Sequence, residues 1–174
     1  MAVVVSLRDL VDELQMLSHE SYAYLNKETG KVISISNDDF SMLENINDDE
    51  FEVENDDELA ENSDSEIDFF QEVKKIAESD DDYVKLPSSF DIHEYEIMER
   101  FCLSIANARI SNALLDKIRG SGAFRRFKDT IYRYGIENDW FKYKDEAYKE
   151  MAISWLESHG FAYVDDMNRR EQNT

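Results

Sequence analysis

Two glycines followed by a run of basic residues form the part of the sequence best suited to binding an anion. Gly120 and Gly122 lie between two predicted helices, and basic residues occupy the first turns of the second helix. Glycines at such a position let backbone N–H groups approach an anion, and the dipole of the following helix favours negative charge there. Arginine adds bidentate hydrogen bonds to phosphate. The candidate anion-binding site comprises Arg119, Gly120, Gly122, Arg125, Arg126 and Lys128.

The charge of this block is opposite to the charge of the whole chain. Residues 117–133 contain six basic side chains and one acidic side chain, whereas the 174 residues carry 19 basic and 40 acidic ones, a formal net charge of −21. Residues 118–122 also loosely resemble the helix-hairpin-helix module that grips nucleic-acid backbones, although Ser121 stands where that module usually has an apolar residue.

Two other interpretations of the block stay open, a protein interface and a purely structural role. The sequence favours the structural one, in which Gly120 ends a helix and the arginines pair with nearby acids. That interpretation leaves the arginines in the first turn of the second helix unexplained, because they oppose its dipole.

No other group of residues has the spacing of a catalytic or metal site. His19, His93 and His159 are far apart, and Cys102 is predicted on the apolar face of a helix as a buried, inert thiol. The acidic run has a glutamate where a calcium-binding loop needs glycine. Nucleophile-elbow, P-loop and dinucleotide-binding motifs are absent from the sequence. We therefore assign no catalytic residue, metal ion or cofactor; an enzyme would need a pocket that holds His93, Glu94 or Cys102.

The elements that must position these residues are mainly helices. Apolar residues recur at helical intervals after Ser6, which can cap that helix, and Asp91 with Glu94 forms a capping box. Two alternating segments around a turn that ends in Gly30 predict a β-hairpin. Helices are predicted over 7–17, shortly after Ser36, over 65–78, from Asp91, over 108–119 and 123–134, and from Asn138 to Gly160; strands are predicted over 21–25, 31–35 and 161–164, with an extended segment at 83–87.

The negative charge is concentrated in about a quarter of the chain. Residues 37–82 contain 20 acidic and two basic side chains, and the densest part has few apolar residues. Because like charges repel in a compact state, we expect a mobile acidic segment at 45–63. It separates a helix–hairpin–helix unit at 1–44 from a helical domain at 64–165, and a frayed polar tail follows at 166–174. The predicted fold class is α+β and mainly helical.

Composition limits the class of protein further. Hydrophobic residues make up 42% of the chain, too many for a wholly disordered one. A single cysteine forms no intrachain disulfide, and no apolar run approaches the roughly 20 residues of a membrane span. The first residues lack the pattern of a signal peptide. We expect a soluble cytoplasmic protein without membrane contact, whose bulk charge disfavours nonspecific adhesion to nucleic acid.

Several short motifs occur together along the chain. The most specific is Arg-Gly-x-Gly-Ala-Phe-Arg-Arg-Phe-Lys-Asp at 119–129; the others lie at 6–10, at 22–30, at 86–87, at 91–101 and at Trp140-Phe141. In this combination the chain resembles the bacterial uncharacterised protein family 0158. The resemblance implies a bacterial, intracellular protein and supplies neither an activity nor catalytic residues.

Acidic and basic residues are concentrated in different parts of the chain, and no group of residues has the pattern of a catalytic site. Both observations favour a noncatalytic binding or regulatory module that acts through protein contacts. The alternative is a binder of phosphate or of nucleic-acid backbones at the Gly-rich turn and helix start, through Arg119, Arg125 and Arg126 in particular. An enzyme with an unrecognised site is the third hypothesis, which the sequence favours less.

Overall fold

The computed structural model describes residues 2–48, 64–78 and 81–168. These residues form seven helices and five short strands, which confirms the mainly helical α+β class. In chain order the elements are β1 (Val4–Ser6), α1 (Leu7–Met16), β2 (Ser21–Asn26), β3 (Val32–Ser36), α2 (Asn37–Asp48), α3 (Asp64–Ala77), β4 (Tyr83–Lys85), α4 (Glu94–Ser104), α5 (Ala108–Lys117), α6 (Ala123–Tyr134), α7 (Glu137–Ser158) and β5 (Ala162–Val164).

Local capping explains why several helices begin where they do. The hydroxyl of Ser6 accepts a hydrogen bond from the backbone N–H of Asp9, as the sequence predicts. Ser36 begins α2, also as predicted, and the structure adds a reciprocal cap between Ser36 and Asp39. The predicted capping box at Asp91 was wrong. Its carboxylate instead accepts hydrogen bonds from the N–H and hydroxyl of Ser88, so it closes a turn before α4.

The strands form two small sheets. The predicted hairpin is present as β2 and β3, and β4 pairs on the other edge of β2, so the antiparallel order is β3–β2–β4. β1 pairs in parallel with β5, with Val5 opposite Tyr163. The sequence predicted β5 but neither β1 nor this pairing, which joins residues far apart in the chain.

The three-stranded sheet separates two apolar clusters because side chains alternate between its faces. Ala23 and Leu25 join the main core, which combines buried residues of β1, α1, β2 and α4–α7. Ile35 lies on the opposite face, in a smaller cluster with Leu43 of α2 and Val73 of α3. Elements of the predicted units 1–44 and 64–165 therefore pack together.

The acidic segment predicted at 45–63 is only partly described. Residues 45–48 belong to α2, and residues 49–63 lie outside the described part of the chain. The boundaries of the predicted domains accordingly stay a prediction.

The start of the predicted frayed tail is ordered by hydrogen bonds. The carboxylate of Asp166 accepts bonds from the Ser6 hydroxyl at 2.7 Å and from the Arg8 backbone N–H at 2.9 Å, and the Arg8 guanidinium donates to the Met167 carbonyl. The Asp166 side chain and the Met167 carbonyl thus bond back to the start of α1, and fraying of the tail as a whole stays a prediction. Residues 169–174 lie outside the described residues.

An aromatic cluster in the main core fixes three helices relative to one another. Phe101 of α4, Phe127 of α6 and Trp140 of α7 meet edge to face, with ring centroids 4.9–6.0 Å apart. This packing sets the positions of the helix starts that carry the surface features described next. None of the described helices combines the length and apolar character that crossing a bilayer requires.

Candidate functional site

The two-glycine turn between α5 and α6 has the backbone conformation that the sequence suggested. Gly120 and Gly122 have φ angles of +76° and +74°, a left-handed region that favours glycine. The chain therefore reverses tightly between Lys117, where α5 ends, and Ala123, where α6 begins.

Arg126 holds this turn in place with its guanidinium group. Nε donates to the Lys117 carbonyl at 2.8 Å, Nη1 to the Ser121 carbonyl at 2.6 Å and Nη2 to the Arg119 carbonyl at 2.5 Å. These bonds satisfy the carbonyl of Lys117 at the end of α5 and two carbonyls in the turn that follows. Arg126 is therefore a positioning residue of the turn, whose guanidinium is already occupied by backbone carbonyls.

The other basic residues of the candidate anion-binding site point into solvent. Arg119, Arg125 and Lys128 are exposed, and none forms an ion pair with a carboxylate among the described residues. The first turn of α6 contains no acidic residue, and Gly122 offers no side chain to cap it. We call these three exposed basic side chains the cationic surface. They belong to the turn and first turns of α6, a helix whose first N–H groups have no capping side chain.

A groove that the sequence did not reveal opens on a neighbouring surface. Its volume is about 610 Å³, and its walls come from the end of α1, the segment before α4, the first turn of α4, the start of α6 and the middle of α7. The side chains lining it are Leu14, Leu17, Ser18, His19, Ser89, Phe90, Ile92, His93, Glu94, Tyr95, Glu96, Phe124 and Tyr148. We call this the aromatic groove, after Phe90, Tyr95, Phe124 and Tyr148.

Polar contacts order one end of the aromatic groove. The His19 ring lies 5.1 Å from the Phe90 ring, and its Nδ1 lies 3.3 Å from the Ser89 hydroxyl. These contacts link the loop after α1 to the segment that precedes α4.

The groove is also lined by Glu94, which is ion-paired, and by the buried Tyr148. Glu94 accepts a salt bridge from Lys144 at 2.9 Å, and the Lys144 ammonium lies 5.7 Å from the centre of the Tyr148 ring. Burial raises the pKa of Tyr148 well above its usual range, and the nearby Glu94 charge raises it further. Tyr148 therefore contributes a neutral phenol to the lining of the groove.

The groove and the two-glycine turn are adjacent in the fold. The Tyr95 hydroxyl donates to the Ile118 carbonyl at 3.0 Å, which ties α4 to the start of the turn. Phe124 lies two residues after Gly122 and lines the groove. Lys128 follows Phe124 by one helical turn, so it lies on the same side of α6.

A comparison with protein families identifies the chain. The model of the Uncharacterised protein family (UPF0158) matches residues 56–172, about two thirds of the sequence. The chain belongs to this family. The match includes the two-glycine turn and every groove residue except those contributed by the end of α1 and the loop after it. No curated protein and no solved structure matches the chain.

In this UPF0158 protein, the residues considered for catalysis divide between surface and core. His93 and Glu94 line the aromatic groove, so two of the three residues named for an unrecognised enzyme site do lie in a pocket, whereas Cys102 is fully buried in the main core. Burial, with a smaller effect of Glu99, raises the pKa of the Cys102 thiol to about 11, so that the thiolate nucleophile is disfavoured at neutral pH. The His159 ring stacks on Trp155 and does not line the groove. Among the described residues, no three metal-binding side chains cluster.

Proposed function

We propose that this UPF0158 protein is a noncatalytic binding module that holds a protein partner in the aromatic groove. The observation that carries this proposal is the accessibility of large aromatic side chains on a concave surface. Phe90, Tyr95 and Phe124 are 62%, 41% and 40% exposed, respectively. Exposed apolar side chains that cluster around a cavity are typical of protein-interaction sites.

The construction of the groove supports binding rather than chemistry. Its aromatic residues offer large contact areas at a low entropic cost, because each has few side-chain torsions that binding must fix. This is a property of binding hot spots. Glu94 is engaged by Lys144, and the phenol of Tyr148 is neutral. A regulatory role in the cytoplasm of a bacterial cell is part of the proposal, and it rests on the family resemblance and on the segregated charge.

Partner recovery from cell extract, with and without nuclease, tests this function. We expect proteins retained by the wild-type chain to be lost from a variant with Phe90→Ala and Phe124→Ala. Phe141→Ala is the matched control, since Phe141 is 55% exposed on α7 and does not line the groove. The proposal fails if the double variant and the control retain the same proteins, or if nuclease alone releases them.

A second candidate function is binding of phosphate or nucleic-acid backbones at the two-glycine turn. The observation that favours it is the cationic surface of Arg119, Arg125 and Lys128, which has no carboxylate partners among the described residues. Arg126 and the two glycines support this surface by fixing the turn.

Salt-dependent binding of RNA and DNA oligonucleotides tests this second function. Arg119→Glu combined with Arg125→Glu should abolish binding, whereas Arg133→Glu, in the last turn of α6, should reduce it much less. Equal effects of the two changes would show general electrostatics instead of a site. Arg126 is unsuitable for this test, because its replacement disturbs the turn itself.

A further inference from the structure

We infer that the partner enters the aromatic groove with a basic segment, placing a lysine or arginine side chain among the aromatic rings. This inference rests on the proposed function and specifies the chemistry of the partner. Three observations support it. The groove is lined by carboxylates, its walls are aromatic, and Lys144 of the protein itself contacts both a carboxylate and an aromatic ring.

The charged side chains that line the groove are carboxylates. Glu94 and Glu96 contribute to the lining together with the histidines His19 and His93, and no lysine or arginine does. Lys144 offsets the charge of Glu94, whereas Glu96 has no ion-pair partner among the described residues. A cationic group entering here meets a carboxylate at the rim, and an anionic group would be repelled by it.

The aromatic walls favour the same sign of charge. A ring presents a negative face to a nearby cation, and several rings around one cavity make a cage for an ammonium or guanidinium group. Phe90, Tyr95 and Phe124 are accessible in the lining of the groove, whereas the Tyr148 ring is buried. The same rings cover the aliphatic stem of a lysine or arginine side chain.

The protein makes this type of contact with one of its own side chains. The ammonium of Lys144 lies 2.9 Å from the Glu94 carboxylate and 5.7 Å from the centroid of the Tyr148 ring. A partner cation beside Glu96 and the accessible rings would repeat that pairing of carboxylate and aromatic face.

Long-range electrostatics act in the same direction. The chain carries a formal net charge of −21, which attracts a basic partner before contact and repels an acidic one. General attraction alone does not indicate binding in the groove, because the negative charge of the chain attracts any polycation. The test must therefore separate binding in the groove from binding to the charged surface as a whole.

Fluorescence anisotropy with two labelled peptides provides this separation. One peptide alternates lysine with leucine, and the other alternates glutamate with leucine. The full chain is titrated as wild type, with Glu96→Gln, with Phe90→Ala and with two controls. The controls are Phe141→Ala and Glu99→Gln, which makes an equal charge change at an exposed position of α4 outside the groove.

We expect the wild-type chain to bind the lysine peptide, and Glu96→Gln or Phe90→Ala to weaken that binding about fivefold or more. The two controls should change it by less than about twofold. Circular dichroism establishes that each variant is folded.

Three results would overturn the inference. They are no binding of the lysine peptide, equal losses with Glu96→Gln and Glu99→Gln, and equal affinity for the glutamate peptide. If the glutamate peptide binds and depends on Phe90, the groove still holds a protein segment, so the proposed function survives without a basic partner. If partner recovery is also insensitive to Phe90 and Phe124, the proposed function itself is wrong.

Discussion

Arg126 joins the end of one helix to the start of the next through three hydrogen bonds to backbone carbonyls. The sequence placed this side chain, together with Arg125, in the candidate anion-binding site. The two residues are adjacent in sequence and identical in type, yet only Arg126 lies on the side of α6 that meets the returning turn. Residue type therefore predicted a cationic block, but the partner of each cation depends on the path of the backbone.

Arg126→Gln should destabilise the protein by about 1–3 kcal/mol, because it removes charge-assisted hydrogen bonds to carbonyl groups at the end of α5 and in the turn after it. Arg125→Gln makes the same chemical change at an exposed position without such bonds, and it should alter stability by less than about 0.5 kcal/mol. Urea denaturation of both variants measures the difference. Similar free energies of unfolding for the two variants would exclude the positioning role of Arg126.

Asp166 predicts a specific pH dependence. Burial raises the pKa of its carboxyl group, but hydrogen bonds from the Ser6 hydroxyl and the Arg8 N–H outweigh burial, so the pKa lies below its ordinary value of 3.8. A lowered pKa in the folded state means that the carboxylate stabilises the fold above its unfolded pKa and loses this effect as pH falls through the folded pKa.

Asp166→Asn should therefore reduce the free energy of unfolding at neutral pH and bring the variant closer to wild type in acid, as pH falls below about 4. Urea denaturation of both chains over this pH range measures the gap between them. A gap that stays constant with pH would mean that the Asp166 charge contributes nothing and that only the shape of the side chain matters.

At the scale of elements, the hairpin and the first strand meet at Gly30. Its φ angle is +73°, and an added Cβ would lie 2.8 Å from the Val3 side chain and 3.1 Å from the Val4 carbonyl oxygen. Gly160 has nearly the same φ of +74°, with open space where the Cβ would be. The two glycines differ in crowding and share their backbone conformation.

Gly160→Ala should cost about 1–2 kcal/mol for the left-handed conformation alone. Gly30→Ala should cost about 1–3 kcal/mol more, because β1 must shift to accommodate the methyl group. Urea denaturation of the two variants gives the difference. Equal destabilisation would mean that the hairpin tip and β1 are not tightly packed.

Sequence patterns predicted elements where the signal is local. Ser6 and Ser36 begin helices, and Gly30 ends the turn of the hairpin, because each bonds to backbone groups within a few residues. The parallel pairing of β1 with β5 was not predictable in this way, since it joins Val5 to Tyr163. The aromatic groove was missed for the same reason: His19, Phe90, Phe124 and Tyr148 come from distant parts of the chain.

At the scale of the whole molecule, the two apolar clusters differ greatly in size. Among the described residues, the main core contains 22 buried side chains, and the cluster between α2, α3 and β3 contains four. Regions with few buried apolar contacts open at a lower free-energy cost than the global transition. We therefore expect α2 and α3 to open locally while the groove-forming helices α4, α6 and α7 stay folded.

Hydrogen exchange of two core variants tests this difference. Val73→Ala removes methyl groups from the small cluster, at a cost of about 1–3 kcal/mol, and should accelerate exchange in α2, α3 and β3 alone. Leu114→Ala, in the main core, should cost about 2–5 kcal/mol and accelerate the slowest amides throughout the described elements, because it lowers the free energy of global unfolding. Acceleration of the slowest amides of α4–α7 by Val73→Ala would show that the clusters unfold as one unit. In that case, changes in α2 and α3 would also weaken the aromatic groove, whereas independent opening leaves partner binding there intact.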